Sequence, residues 1–335
     1  MAIASDTALT YSGVQIREDL SDVIYNIAPM DTPFMSGCAK TKADNTLFQW
    51  QTDSITAGAA NRVIEGDDSP AAVASPQPTK LQNYCQISRY VLQTSGTDQV
   101  VNYAGRGKAQ AYQLAKAGKR MKRDMEVMLT SNTARVVGSA TLARATAGAQ
   151  TWFPTASWVD GGTGGSAAAA TGDGTDTRTN ATSTVAATEV NIKATIKKAY
   201  DNGGQPDMII VPALVKQTIS GLASVGSGSV SLGIPPRNQV SGSGGATAVA
   251  AVDVYVSDFG TFKIVPDRNL AADGPSSVAA TCFFMDMDYW AISWLRPFHT
   301  VELAKQGDSV KSMLIAEYGL VSRNSASSAI LASVK

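Results

Sequence analysis

Between Thr97 and Asn132 the sequence contains no proline and places small or apolar residues every three or four positions: Val101, Ala104, Gly107, Ala111, Leu114, Gly118, Met121, Met125 and Met128. That spacing predicts one amphipathic helix with Thr97 or Asp98 as its N-cap. A helix of about 35 residues would be roughly 50 Å long at 1.5 Å per residue. Other elements must lie along such a rod. Its seam is built mostly of small residues, which favours close packing on a sheet or loop over a coiled-coil partner.

The same run is basic. Arg106, Lys108, Lys116, Lys119, Arg120, Lys122, Arg123 and Arg135 face only Asp98, Asp124 and Glu126, a surplus of five positive charges. The whole chain carries 28 basic and 28 acidic residues, so its formal net charge is zero. A protein made mainly to hold nucleic acid or an anionic membrane would not balance this way, and any polyanion must be met locally. One reading of the stripe is a solvated helix face with Arg120–Asp124 and Lys122–Glu126 pairs at i,i+4, each individually weak. The other is a basic surface turned toward a polyanion or a neighbour's acidic loop.

His299 is the sole histidine, which removes a His-rich metal site and leaves one imidazole for general-base work. Cys38, Cys85 and Cys282 are odd in number and form no CxxC pair, so they read as reduced, buried, small apolar residues. The first residues have no basic region leading into an apolar stretch, and no run approaches the ~18 apolar residues of a membrane span. A cytoplasmic, membrane-free protein is expected.

Composition divides the chain. Residues 1–45 contain Pro29 and Pro33, which interrupt any helix there, so an extended arm is expected. Strands are expected at Thr46–Ile55 and Tyr84–Leu92, joined by a connection of about 25 residues, far beyond the usual 2–5 of a hairpin. Residues 138–188, rich in Gly, Ala, Ser and Thr, are expected to form an irregular surface insertion anchored by Trp152, Phe153 and Trp158. A second mobile loop is expected at 221–248. Helices follow at Thr188–Tyr200, ended by Asn202-Gly-Gly204, and at Val215–Leu222. Strands are expected at Met208–Val211, Val252–Val256, Thr261–Val265, Cys282–Asp286 with Tyr289–Leu295, His299–Leu303 and Met313–Val321, with Gln306-Gly-Asp308 turning the last two into a hairpin. The sum is an α+β chain.

Catalytic candidates are sparse. Asp286 and Asp288 at i and i+2 of a strand would project from one face roughly 7 Å apart, a spacing open to carboxylate acid–base chemistry or a divalent cation. The alternation with Met285, Met287 and Tyr289 equally describes a half-buried strand with its polar side in water. Glu65, Asp67 and Asp68 crowd a glycine-containing loop but lack the ligand spacing of an EF-hand, and the Asp173–Asp176 stretch fails in the same way. Gly105-Arg-Gly-Lys108 lacks the first glycine and the Ser/Thr of a phosphate loop. No catalytic residue, metal or cofactor is assigned.

The order of elements (arm, long two-stranded loop, long helix, glycine-rich insertion, strand-rich C-terminal half) resembles the major capsid proteins of tailed bacteriophages with the Hong Kong-97 fold. Local motifs resemble that family along nearly the whole chain: Ala28-Pro-Met-Asp-Thr-Pro-Phe34, Asn83-Tyr-Cys-Gln-Ile87, Thr94-Ser-Gly-Thr97, Lys122-Arg-Asp-Met-Glu126, Gly203-Gly-Gln-Pro-Asp207, Ser257-Asp-Phe-Gly260, Val265-Pro-Asp-Arg268, Trp294-Leu-Arg-Pro297 and Leu303-Ala-Lys-Gln-Gly-Asp308. Lys108-Ala-Gln departs from it, standing where an acidic residue is expected early in the helix.

The resemblance implies an N-terminal arm over 1–45, an E-loop over 46–96, the spine helix of a peripheral domain over 97–137, the insertion over 138–188, a mainly axial domain over 189–280, and strands over 281–335 returning to the peripheral domain. It implies a non-enzymatic shell protein that forms hexamers and pentamers of an icosahedral capsid around double-stranded DNA, assembled in the bacterial host cytoplasm. Its partners would be a separate scaffolding protein, since no scaffold-type domain precedes the arm, together with a portal protein and, in some shells, a decoration protein. Glu65, Asp67 and Asp68 would meet a neighbour's Arg106, Lys108 or Arg296, and Lys116, Lys119, Arg120, Lys122 and Arg123 would face DNA. The E-loop, with little apolar content, would order only against a neighbour. Some relatives are cross-linked by a lysine–asparagine isopeptide bond; Lys80 is the sole lysine in 46–96 and lies away from the tip, so no covalent mesh is expected. Two alternatives remain at this stage: an encapsulin-like nanocompartment shell and a soluble carboxylate-based hydrolase.

Overall fold

The computed structural model describes residues 31–334 apart from 54–57, 59, 61, 63, 67–76, 104–106, 168–170, 182, 225–252 and 271–279. The expected arm as far as residue 30, Asp67, Asp68, Arg106 and the 221–248 loop from residue 225 onward lie outside the described residues.

In chain order the elements are α1 (Pro33–Gly37), β1 (Ala39–Lys42), β2 (Leu47–Thr52), β3 (Thr79–Tyr84), β4 (Gln86–Ser95), α2 (Gly96–Val100), α3 (Ala109–Leu129), β5 (Trp158–Asp160), α4 (Glu189–Asp201), β6 (Met208–Val211), α5 (Ala213–Ser224), β7 (Val254–Ser257), β8 (Gly260–Pro266), β9 (Ala280–Met285), β10 (Trp290–Leu303), β11 (Ser309–Ser322) and β12 (Ala329–Val334). They build a four-stranded sheet in the order β1-β10-β11-β4, a six-stranded sheet in the order β5-β12-β9-β6-β8-β7, and a separate β2–β3 hairpin. The expected α+β content is present.

Three expectations are corrected in the first half of the chain. Pro33 does not extend the chain; it occupies the first turn of α1, where its missing N–H is no loss. The expected single long helix is two helices, α2 and the 21-residue α3. Ser95, not Thr97 or Asp98, caps α2, its Oγ accepting the Asp98 N–H at 3.1 Å. Gly107 falls between the helices, and glycine weakens a helix by about 1 kcal/mol relative to alanine.

The 138–188 insertion is irregular as expected, but much of it is not on the surface. Residues 146–153 are all buried, with Trp152 and Phe153 inside the core. Buried polar side chains tie it to the body: Arg178, itself buried, donates from Nε to Gln150 Oε1 and from Nη2 to Thr281 Oγ1, both at 2.8 Å.

The C-terminal half follows expectation more closely. α4 is N-capped by Thr188, whose Oγ1 accepts the Asn191 N–H. The two expected strands on either side of Pro297 are one strand, β10, with register shifts around Arg296. A bulge accommodates a proline that cannot donate to the ladder. Asp286 and Asp288 do not share a strand: β9 ends at Met285, and Met287–Tyr289 form a single 3-10 turn. The geometry that motivated a carboxylate pair is therefore absent.

The six-stranded sheet separates two hydrophobic clusters. On one side Phe34, Met121, Met125, Leu129, Trp152, Phe153 and Trp290 pack together, and on the other Ile192, Ile196, Val215, Ile219 and Phe262. Neighbouring residues of its inner strands point to opposite sides: Ile210 and Ile209, Phe283 and Phe284, Ile330 and Leu331. Full burial of each such side chain stabilises the fold by roughly 1.5–3 kcal/mol, which is why these strands read as unbroken apolar runs. Among the described residues no helix is long and apolar enough to cross a membrane.

Candidate interaction surfaces

α3 turns one face to the core through Ala117, Met121, Met125 and Leu129 and packs on β4. The opposite face carries Lys116, Lys119, Arg120, Lys122 and Arg123, all exposed. Four of them stand at i, i+3, i+4 and i+7, an arc of roughly 100°. Two are already engaged: the Arg120 guanidinium lies 4.9 Å over the Tyr90 ring, and Arg123 Nε reaches Asn269 Oδ1 at 3.4 Å. Tyr90 Oη donates to Asp124, so Asp124 is drawn to β4.

Glu126 does not pair with Lys122. It is wholly buried and caps α1, Oε1 accepting the Phe34 N–H at 2.7 Å and Oε2 the Met35 N–H at 2.8 Å. A carboxylate at a helix N-terminus satisfies orphan donors that α1 cannot satisfy itself. Burial raises the Glu126 carboxyl to about 8, with the Asp267 charge adding to the rise and the two N–H donors opposing it.

The β2–β3 hairpin is fixed at its stem by its own chain. Asn83 is buried and fully satisfied: Nδ2 donates to Leu320 O at 2.7 Å and Thr146 Oγ1 at 3.0 Å, and Oδ1 accepts from Tyr84 N and Ala147 N. Trp50 donates from Nε1 to Ser322 O at 2.7 Å and lies 5.4 Å from the Trp152 ring. Phe48 packs so close to Gly319 that a Cβ there would sit 2.5 Å from its ring. The expectation that this loop orders only against a neighbour is corrected for the stem. Beyond it, Glu65 is exposed at a turn completed by Gly66, whose φ of +84° favours glycine. Lys80 belongs to the stem, opposite Gln51.

Arg296 is not an unclaimed cation. Its Nε binds Glu317 Oε2 at 2.8 Å, while Arg144 Nη2 holds Glu317 Oε1 at 2.7 Å. Lys108 is exposed just before α3. Among the described residues, Glu65 forms no ion pair with Lys108 or Arg296 of its own chain.

One surface was missed in the sequence. Val91, Met313 and Val301 are cross-strand neighbours on β4, β11 and β10. Val91 is 52% exposed, Val301 37%, and Ile87 nearby on β4 44%. The period-2 pattern of Ile87, Arg89, Val91 was the available signal. The three cysteines are buried and unpaired, as expected, and burial pushes Cys85 up to about 11. Among the described residues no group of acidic, Cys or His side chains could hold a metal ion.

Comparison with known proteins bears on these surfaces. Residues 4–335 match the family model described as SU10 major capsid protein. The major capsid protein of Escherichia phage Phieco32 is 29% identical, with 91% of this chain and 90% of that protein covered. A solved structure from Mycobacterium phage Adephagia superposes with a TM-score of 0.58 at 12% identity, covering 99% of both chains. An encapsulin complex from Synechococcus elongatus gives a TM-score of 0.54 at 9% identity over 93% of this chain and 92% of that one, a likeness of fold alone.

Proposed function

We infer how this protein assembles from one premise: the chain belongs to the SU10 major capsid protein family and is the major capsid protein of a tailed phage. Its α+β architecture is the Hong Kong-97-like fold of phage capsids. In this reading, copies tile as hexamers and pentamers of an icosahedral shell around double-stranded DNA, assembled in the host cytoplasm with a separate scaffolding protein and a portal, and open to a decoration protein. Residues 1–45 serve as the arm, 46–96 as the E-loop, 97–137 as the spine, and 189–280 mainly as the axial domain.

One observation carries the mode of assembly: the hairpin has a stem locked by Asn83 and Trp50, while its connection over 53–78 carries an exposed acidic turn at Glu65. A fixed stem aims the connection at the adjacent subunit. The row of Val91, Met313 and Val301 gives a neighbour's segment apolar surface to cover. Glu65, Asp67 and Asp68 seek cations there. Since Arg296 is held by Glu317, Lys108 and Arg106 are the leading partners. The exposed stripe of Lys116, Lys119, Arg120, Lys122 and Arg123 meets DNA phosphates without reading bases. With Lys80 in the stem, no covalent mesh forms.

Negative-stain microscopy of the full chain co-expressed with its scaffolding protein tests this directly. Closed, DNA-compatible shells are expected; a monomer or small oligomer under those conditions overturns the reading, and particles filled with one protein would point to a nanocompartment instead. Combined Glu65→Lys, Asp67→Lys and Asp68→Lys should leave a folded monomer and cut shell yield at least tenfold. Normal yield refutes the charge pairing.

A further inference from the structure

Three pieces of chain meet near the C-terminal end of α3: the helix itself, α1 with the residues preceding it, and the segment that follows β8. Glu126 comes from the first and Asp267 from the last, and the two side chains are 0% and 1% exposed. Both Glu126 oxygens are engaged by the α1 amides of Phe34 and Met35. Asp267 Oδ1 accepts the Asn269 N–H at 2.8 Å, and Asn269 Nδ2 donates to the Asp31 carbonyl oxygen at 2.8 Å. Asp267 Oδ2 is buried with no donor from a backbone or neutral side chain among the described residues. The carboxyl beside it is Glu126.

Among the described residues, no cation acts as a counter-charge to either acid. From α3, Arg123 directs Nε to Asn269 Oδ1. From α1 and its flanks come the buried Cys38 thiol and Asp31, which act on the pair as a neutral group and as a further negative charge. Arg268, next to Asp267, is exposed. Two bare carboxylates in so dry a place would repel strongly. One proton between them replaces that repulsion with an O–H···O⁻ hydrogen bond and gives Asp267 Oδ2 its missing donor.

We propose that Glu126 and Asp267 share a single proton at neutral pH, and that this proton is the catch holding residues 31–38 against the body of the protein. Its loss releases the foot of the N-terminal segment. The sign follows from the raised Glu126 carboxyl: the stabilisation is complete below the ordinary carboxylate range and drains away as pH rises through about 8. The catch therefore opens on the alkaline side. Its behaviour belongs to the single chain and does not depend on shell formation.

Hydrogen exchange of the full chain between pH 6 and 9.5, corrected for intrinsic rates, reads the catch at residues 32–38 and uses α4 as an internal reference. Protection at 32–38 should fall at least tenfold across that range while α4 stays level. In Asp267→Asn the amide donates to the Glu126 carboxylate without a shared proton, so protection at 32–38 should remain flat. A flat wild-type profile, or the same fall in Asp267→Asn, overturns the proposal. Should Asp267→Asn not fold, the wild-type profile of 32–38 against α4 decides alone.

Discussion

On the α4 and α5 side of the six-stranded sheet the interior is almost wholly apolar: Ile192, Ile196, Ile209, Val215, Ile219, Phe262 and Ile264 fill it. On the α3 side the packing is broken by buried polar residues, among them Asn83, Glu126 and Glu317, whose partners lie far away in the chain. Aliphatic packing is tolerant and roughly additive. A buried polar node is stricter, because each unmade hydrogen bond costs about 1–3 kcal/mol. The first side holds the fold together, and the second also fixes where the hairpin stem, the 138–188 segment and α1 sit relative to one another.

The sharpest way to break this contrast is Asn83→Ala, which strands the Leu320 carbonyl and the amides of Tyr84 and Ala147. Urea unfolding should show a loss of roughly 3–5 kcal/mol, and a loss below about 1 kcal/mol would mean that the node is not what holds the stem. Glu317→Gln removes the charge shared by Arg144 and Arg296; about 2 kcal/mol is expected in the same assay. On the aliphatic side, Ile209→Val should cost only about 1 kcal/mol. Smallest of all on stability is the triple Lys116→Gln, Lys119→Gln, Lys122→Gln, within about 0.5 kcal/mol of the parent. In DNA-retention assays the same triple variant should release DNA at lower salt, and unchanged release would remove these lysines from the DNA surface.

The two sides also differ in how far the sequence discloses them. α4, β6, α5 and β8 were readable to within a few residues because Thr188, the periodic isoleucines and the Asn202-Gly-Gly204 stop are local signals. Trp152 and Phe153 stood out for the same reason, as aromatics in a field of glycine and alanine. Glu126 misled because its neighbours along α3 are lysines, whereas the amides that claim it lie on α1. Arg296 misled similarly: nothing beside it in sequence announces Glu317 across the strand pair. Charge partners set by tertiary approach leave no periodic trace. The apolar row on β4, β10 and β11 combines three strands, so no single window displays it.

Phe283 and Phe284 are consecutive residues that belong to different interiors, as are Ile209 and Ile210. The sheet that carries them is a party wall, and neither room can be reshaped without disturbing the furniture of the other. A tile constructed this way is stiff through its middle. Whatever curvature a closed surface demands of it must be absorbed outside that wall.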